Sequence, residues 1–338
     1  MATIRDLSKY TGFSVTTISR VLNHDPTLSV TDATRSTILE AADALNYTTS
    51  RLRGASKNRP MHVAIAQMMS TREQLWDPYY LYLKNYVVRS CMARGINISY
   101  LAEQENGFQI LEKVALDGIL AIGIFSEEQI EKITHISPCV VFVDSSPDEQ
   151  KFDSVVLNFK LGVEQALTYL IGRGHRKIGF LGPAYKFDQK KRRALEVRWQ
   201  YFADYMKRAG LYDEGSMVDT STTVEETRAS IGRWLGQRQE LPTALLTYNE
   251  ETAMTAAGVF REAGLRIPED ISIISFNDTP LSALIDPPLT SINAHLSDMG
   301  EAAVKLLAER IEDPRHLPYK VVLPLSLTER GSVMDGRH

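Results

Sequence analysis

The sequence predicts an α-helical helix-turn-helix head followed by an α/β core of parallel sheets covered by helices on both faces. Three observations lead there. Residues 1–47 hold three short segments with apolar residues at helical spacing and a glycine between the first two. Residues 48–60 are polar and basic, include Gly54 and close on Pro60. Beyond them, short continuous apolar runs alternate with longer helical stretches, the pattern of parallel strands covered on both faces.

The first helix opens at Thr3, with Asp6 placed to complete a capping pair and Ile4, Leu7 and Tyr10 forming one apolar stripe. Gly12 ends it, because glycine accepts the left-handed conformation of a helix C-cap. Ser14 caps the second helix, whose inner face is Ile18, Val21 and Leu22. Its outer face holds Val15, Thr16, Ser19 and Arg20, with Asn23 at the end. A third helix is expected from Thr31 to about Leu45, with Ile38, Ala42 and Leu45 inward. Three short helices sharing one small core fit the helix-turn-helix plan, in which the second helix enters the major groove. A plain helical bundle would show the same apolar spacing.

In the core, strands are expected at 62–67, 96–101, 118–122, 140–143, 178–181, 244–246 and 271–275. Helices are expected at 79–93, 126–133, 161–172, about 193–209, 224–236, 251–262 and 297–311.

The 338 residues are 43% hydrophobic with a net charge of −4. Residues 1–60 carry eight Lys/Arg against five Asp/Glu, so the acidity belongs to the remainder and the head is locally basic. Arg51, Arg53, Lys57 and Arg59 cluster after the third helix. Two cysteines, Cys91 and Cys139, make neither a disulfide framework nor a metal site, and the seven histidines show no ligand spacing. No apolar run of about twenty residues marks a membrane span, and the polar N-terminus lacks a signal-peptide core. A cytoplasmic protein is expected. Neither a phosphate-binding loop nor a nucleophile elbow occurs, so no enzyme and no cofactor are expected.

The string Ser14-Val15-Thr16-Thr17-Ile18-Ser19-Arg20-Val21-Leu22-Asn23, then Thr31 to Arg35, then Ala44-Leu45-Asn46-Tyr47, resembles the DNA-binding head of the lactose/galactose repressor family. Gly174 to Pro183, Ile271 to Asp278 and Pro287 to Thr290 extend the resemblance over nearly the whole chain. Asp77 to Leu81, Asn277-Asp278 and His295 with Met299-Gly300 look closest to the branch that holds the repressor of the evolved β-galactosidase operon.

The resemblance implies residues 1–47 as the DNA-binding domain, 48–60 as hinge and 61–338 as a sugar-binding and dimerisation core. The resemblance further implies that this core is two doubly wound parallel-sheet subdomains, built like a periplasmic binding protein, one spanning about 61–158 and 293–321, the other about 159–290 and 323–331. The chain would cross between them near Asn158, near Ser291–Ala294 and near Val322–Ser326. Val15 and Thr16 would read bases, and Arg20 would bind a guanine or a phosphate. Ser14, Thr17, Ser19 and Asn23 would hold phosphates, with Thr3, Arg51 and Leu52 also facing DNA. The hinge departs from the family. Thr49 stands where relatives have a proline, and Ser56 where they have a minor-groove leucine. Leu52 is the only bulky apolar side chain there, and Gly54 costs a hinge helix about 1 kcal/mol relative to alanine.

For the core, Arg198, Asn249, Asp278, Asn277 and Asp144 are the polar candidates to contact a sugar, with Asp278 opposing Arg198. Most end predicted strands, where open α/β folds bind ligands and where helix caps also fall. Trp76, Tyr79, Phe159, Phe187 and Tyr185 are candidates for an aromatic platform, against the alternative of ordinary packing. His175 is expected to make structural hydrogen bonds. The implied function is a repressor, a homodimer on double-stranded palindromic operator DNA, released when galactose or a β-galactoside fills the cleft. Tetrameric relatives carry a leucine-rich helix after the core, and with no such heptads read after residue 331 a dimer is expected. A regulator tightened by its ligand, or a sugar-binding transport protein, stays open at this stage.

Overall fold

The computed structural model describes residues 4–22, 30–45, 59–68, 78–104, 107–110, 114–187, 193–220, 223–237, 240–313 and 317–336. It divides into two compact units, Met1–Met61 and His62–His338. Among the described residues no helix is long and apolar enough to cross a membrane.

The first unit consists of α1 (Ile4–Thr11), α2 (Val15–Leu22) and α3 (Asp32–Ala44). Leu7, Ile18, Val21, Ile38, Ala41 and Ala42 are buried together, and Ile4, Phe13, Leu22, Val30 and Leu45 pack around them. Gly12 takes φ +76° and ends α1, while Ser14 Oγ accepts the Thr17 N–H at 3.1 Å and starts α2. Tyr10 corrects one expectation, being 65% exposed. A two-turn helix presents a narrow inner face, and Ile4 and Leu7 already fill it.

The second unit holds two sheets. The seven-stranded sheet runs β14-β6-β5-β4-β1-β2-β3. Its strands are β1 (His62–Gln67), β2 (Asn97–Gln104), β3 (Gly107–Ile110), β4 (Gly118–Ile122), β5 (Val140–Val143), β6 (Asp153–Leu157) and β14 (Lys320–Leu323). Only β3 is antiparallel to its neighbour. The six-stranded sheet runs β10-β7-β11-β12-β13-β15. Its strands are β7 (Ile178–Gly182), β10 (Met217–Asp219), β11 (Ala244–Thr247), β12 (Ser272–Asn277), β13 (Thr290–Asn293) and β15 (Ser326–Thr328). Here the antiparallel member is β15. Central strands such as β4, β5 and β11 are buried along their whole length, as helices on both faces require.

Helices α4 (Pro78–Ala93), α5 (Glu127–Ile136) and α11 (Leu296–Glu312) belong with the first sheet. With the second go α6 (Phe159–Gly172), α7 (Val197–Arg208), α8 (Val224–Gln237), α9 (Glu250–Glu262) and the short α10 (Pro280–Leu284). The chain passes from one sheet to the other after β6, between β13 and α11, and between β14 and β15. Residues 193–195, expected as helix, instead form β9 (Arg193–Leu195), paired antiparallel with β8 (Tyr185–Phe187) in a separate ribbon. The expected helix begins only at Val197, because Glu196 is its N-cap, accepting from the N–H groups of Arg198 and Trp199.

In each sheet the chain's first strand lies between its successor and a later strand: β2-β1-β4 in one, β10-β7-β11 in the other. That reversal leaves a crevice at the strands' carboxyl ends, the place where such folds bind ligands.

Candidate functional site

In the first unit the surface of interest is the N-terminal half of α2. Val15 is 40% exposed and Thr16 is exposed, while Thr17, Ser19 and Arg20 are half-buried. The Ser14 hydroxyl lies 2.8 Å from that of Thr17, so both serve the helix start. The first turn of α2 contains no acidic residue, and its end carries the positive pole of the helix. An apolar side chain beside a hydroxyl at that pole suits a groove edge flanked by phosphates. Thr3, Asn23, Arg51 and Leu52, with hinge residues 48–58, lie outside the described residues.

In the second unit, Asp144 follows β5 with φ +68°. Its Oδ1 accepts from the Tyr79 hydroxyl at 3.1 Å and its Oδ2 from the Tyr80 hydroxyl at 2.9 Å. The two rings, neighbours on α4, meet edge to face with centroids 4.9 Å apart. Removal from water pushes the Asp144 carboxyl above the ordinary carboxylate range; the Tyr80 and Tyr79 hydrogen bonds and the charges of Lys186 and Arg198 pull it back.

Arg198 lies in the first turn of α7, buried. Its Nε donates to Glu196 Oε1 at 3.0 Å, its Nη2 lies 2.9 Å from the same oxygen, and Nη1 donates to the Tyr248 carbonyl at 2.9 Å. The guanidinium carbon stands 3.8 Å from the Tyr248 ring centroid, 4.5 Å from that of Phe159 and 5.5 Å from that of Phe276. Gly182 at the end of β7 makes room, since a Cβ there would fall 2.6 Å from Tyr248 Cβ. Three of the five N–H donors of a guanidinium are thus engaged by Glu196 and Tyr248.

The expectation that Asp278 opposes Arg198 is corrected. Asp278 Oδ1 pairs with Arg330 at 2.6 Å, and Oδ2 accepts from Asn293 at 2.9 Å and Thr328 at 2.7 Å. This carboxylate ties β12, β13 and β15 together, and the partner of Arg198 is Glu196. Asn249 is the N-cap of α9, its Oδ1 accepting from the Thr252 N–H at 2.9 Å and hydroxyl at 2.8 Å. Asn277 ends β12, buried, with φ +95°. Among the described residues, the positive-φ residues other than glycine are Asp144, Asn277, Asp278 and His295. The first three end strands and the last sits where the chain crosses between sheets, a concentration typical of functional sites.

Phe159 opens α6 and lies under Arg198, 6.2 Å from Phe276, so it serves the site as a floor for the guanidinium. Tyr79 is buried with its hydroxyl on Asp144, and Tyr185 is 43% exposed. Phe187 ends β8, but its side chain lies outside the described residues, as does Trp76 entirely. Sequence reasoning missed Tyr80, Lys186, Glu196 and Tyr248. Only Glu196 left a trace, an acidic residue two positions before Arg198 at a helix start.

Behind the site, Glu250 is buried and accepts from the Thr279 N–H and hydroxyl, each at 2.8 Å, and from the Ser282 hydroxyl at 2.5 Å. It fixes the loop after Asp278 to α9, and burial raises its carboxyl. His175 bridges Thr243 and the Met334 carbonyl, a structural role. Among the described residues no group of three or more His, Cys, Asp or Glu is placed to hold a metal ion.

Residues 3–50 match the model of the bacterial regulatory proteins, lacI family, and residues 167–333 that of the periplasmic binding protein-like domain. Over 337 residues the chain is 34% identical to the HTH-type transcriptional regulator GalR of Streptococcus thermophilus, covering 98% of this chain and 99% of the relative. Over 340 residues it is 30% identical to the HTH-type transcriptional regulator GanR of Bacillus subtilis (strain 168), covering 98% and 100%. The solved complex of the transcriptional regulator CelR with cellobiose superposes with a TM-score of 0.65 at 23% identity, over 98% of this chain and 100% of that one.

Proposed function

This chain belongs to the lacI family of bacterial regulatory proteins, and from that premise we propose that it is a dimeric repressor whose grip on a palindromic operator is released by a sugar. It is a transcriptional regulator with a helix-turn-helix head and a periplasmic-binding-like core. The observation that carries the reading is the pair of charged clusters at the strand ends of the core. Asp144 with two tyrosine hydroxyls comes from one sheet, and Arg198 on its aromatic floor from the other.

A sugar ring needs such groups: a carboxylate to accept from paired hydroxyls and a planar fork to donate to ring oxygens. Residues held from two sheets let a ligand favour one arrangement of the sheets over another, which is the only way it can shift DNA affinity. By reciprocity, operator DNA weakens sugar binding by the same factor. The head reads DNA through Val15, Thr16 and Arg20, with Ser14, Thr17 and Ser19 toward phosphates. Two-fold symmetry doubles a recognition surface that is too small alone. Residues 1–47 are the DNA-binding part, 48–60 the hinge, and 61–338 the effector and dimer core. The sugar proposed is galactose or a β-galactoside.

The test is an operator gel-shift with galactose, lactose and cellobiose, paired with calorimetry. Release by a sugar that also binds the protein supports the reading. Tighter operator binding on sugar addition would reverse its sign. Failure of every sugar to bind would overturn it.

A further inference from the structure

The Glu196 carboxylate occupies a place suited to an anion. Its Oε2 accepts from two first-turn N–H groups of α7, those of Arg198 at 2.8 Å and Trp199 at 3.2 Å. Its Oε1 accepts from Arg198 Nε at 3.0 Å and lies 2.9 Å from Nη2. A helix N-terminus and the fork of a guanidinium each attract carboxylates and phosphates. Here the two converge on one spot, and the chain's own carboxylate fills it. The backbone holds it there: Glu196 N–H donates to the Ala184 carbonyl at 2.9 Å, and Ala184 N–H to Asp219 Oδ1 at 2.8 Å. Glu196 and Arg198 are both buried.

We propose that Glu196 is the specificity-determining positioning residue of the cleft: it takes the anion position at Arg198 for itself, so that the arginine serves an uncharged sugar and turns anionic sugars away. The proposal rests on the reading of the cleft as a sugar site. An arginine without such a partner takes a ligand carboxylate or phosphate bidentately. On the Nε–Nη2 edge that fork is already spent on Oε1, and Nη1 donates to the Tyr248 carbonyl at 2.9 Å. Beyond those three, two of the five N–H donors remain, and hydroxyl or ring oxygens can take them singly. The Tyr248 and Phe159 rings, with centroids 3.8 and 4.5 Å from the guanidinium carbon, keep its plane fixed. An anion arriving at those donors meets the Glu196 charge across the same guanidinium, in a site where water screens little.

The experiment compares methyl β-galactoside with two anions of the same sugar, galacturonate and galactose 1-phosphate, by calorimetry on the full chain. The parent should bind the galactoside at least about tenfold more tightly than either anion. Glu196→Gln and Glu196→Ser each keep an oxygen for the helix cap without the charge. In both, the ratio should move toward at least one anion by about tenfold or more. Glu196→Asp restores a charged cap and should bring the ratio back toward the parent's. Parent and variant differ in one group, so every other charge in the cleft drops out of the comparison. A general loss of structure would weaken all three ligands together and leave the ratio where it was. A ratio unmoved in whichever uncharged variants fold, or moved equally by Glu196→Asp, would overturn the proposal. So would a parent that binds either anion as tightly as the galactoside, and that result decides if neither uncharged variant folds. A parent that binds neither the galactoside nor an anion would instead overturn the reading of the cleft as a galactoside site.

Discussion

Arg20 and Arg198 both sit on short amphipathic helices, yet they are held in opposite ways. Arg20 lies half-buried on a helix of eight residues, beside Val15 and Thr16, which face outward. Arg198 is 5% exposed, locked to Glu196 and stacked among Phe159, Tyr248 and Phe276. On α2, Val15 and Thr16 turn outward, where the proposed DNA partner would meet them. Arg198 finds its counter-charge inside the core, so it is structural whatever it binds. Changes in the head should therefore separate binding from stability, and changes in the cleft should not.

The largest effect expected is for Arg198→Ala. Removing one member of a buried pair leaves Glu196, 3% exposed at its side chain, without its cation, a loss of about 3–5 kcal/mol. Sugar response should vanish together with much of the core's stability. The double change Glu196→Gln with Arg198→Met removes both charges and should recover most of the stability but none of the response. Denaturant unfolding alongside calorimetry checks this. A stable Arg198→Ala that merely lost sugar affinity would erase the contrast between head and core.

Next comes Ile18→Ala, which tests the other side. The head's core is a handful of residues around Leu7, Ile18, Val21 and Ile38, and deleting a buried isoleucine side chain costs about 2–5 kcal/mol. So small a unit should unfold locally. Operator binding should be lost while sugar binding to the full chain stays at the parent value. A joint loss of both would mean that the units are not independent.

This contrast also explains what could be read in advance. The head was legible because its signals are local: a glycine, a cap and an outward face lie within one helix pair. Strand–helix alternation gave the core's layers for the same reason. The charge partners were not legible, since topology assigns them. Asp144 meets Tyr79 and Tyr80 across about sixty residues of chain, and Asp278 meets Arg330 rather than Arg198 because β15 returns beside β13. Residues 193–195 carried no periodicity able to distinguish a three-residue strand from the start of a helix, so the ribbon and Lys186 with it were missed.

A smaller effect is expected for Arg20→Ala. If Arg20 reads a guanine, operator affinity should fall by about 1–3 kcal/mol and preference should relax at one base pair per half-site. If it holds a phosphate, affinity should fall on all sequences and the salt slope should shrink by about one unit. Site selection with both proteins separates the two, and core stability should be unchanged in either case. Parent-like affinity and preference would remove Arg20 from the interface.

The smallest effect is acid sensitivity confined to the core. His175 is 2% exposed, and its Nε2 can reach the Met334 carbonyl only as a donor, at 2.9 Å. Its Nδ1 then accepts from the Thr243 hydroxyl at 2.8 Å, the neutral tautomer. Burial lowers its pKa below the ordinary 6.5, so the unfolded chain takes up a proton first as pH falls. The stability due to the neutral ring is complete above about pH 6.5 and drains away as pH drops toward the folded value, by at most about 1.4 kcal/mol per pH unit. Asp144 and Glu250 act in the opposite sense, since their raised carboxyls favour the folded state on the acid side. His175→Gln keeps a donor for Met334 and cannot titrate, so the difference between variant and parent isolates the imidazole. Thermal unfolding of both across about pH 5 to 8 should show the curves converging as pH falls. Parallel curves over that range would mean that the ring is not held neutral.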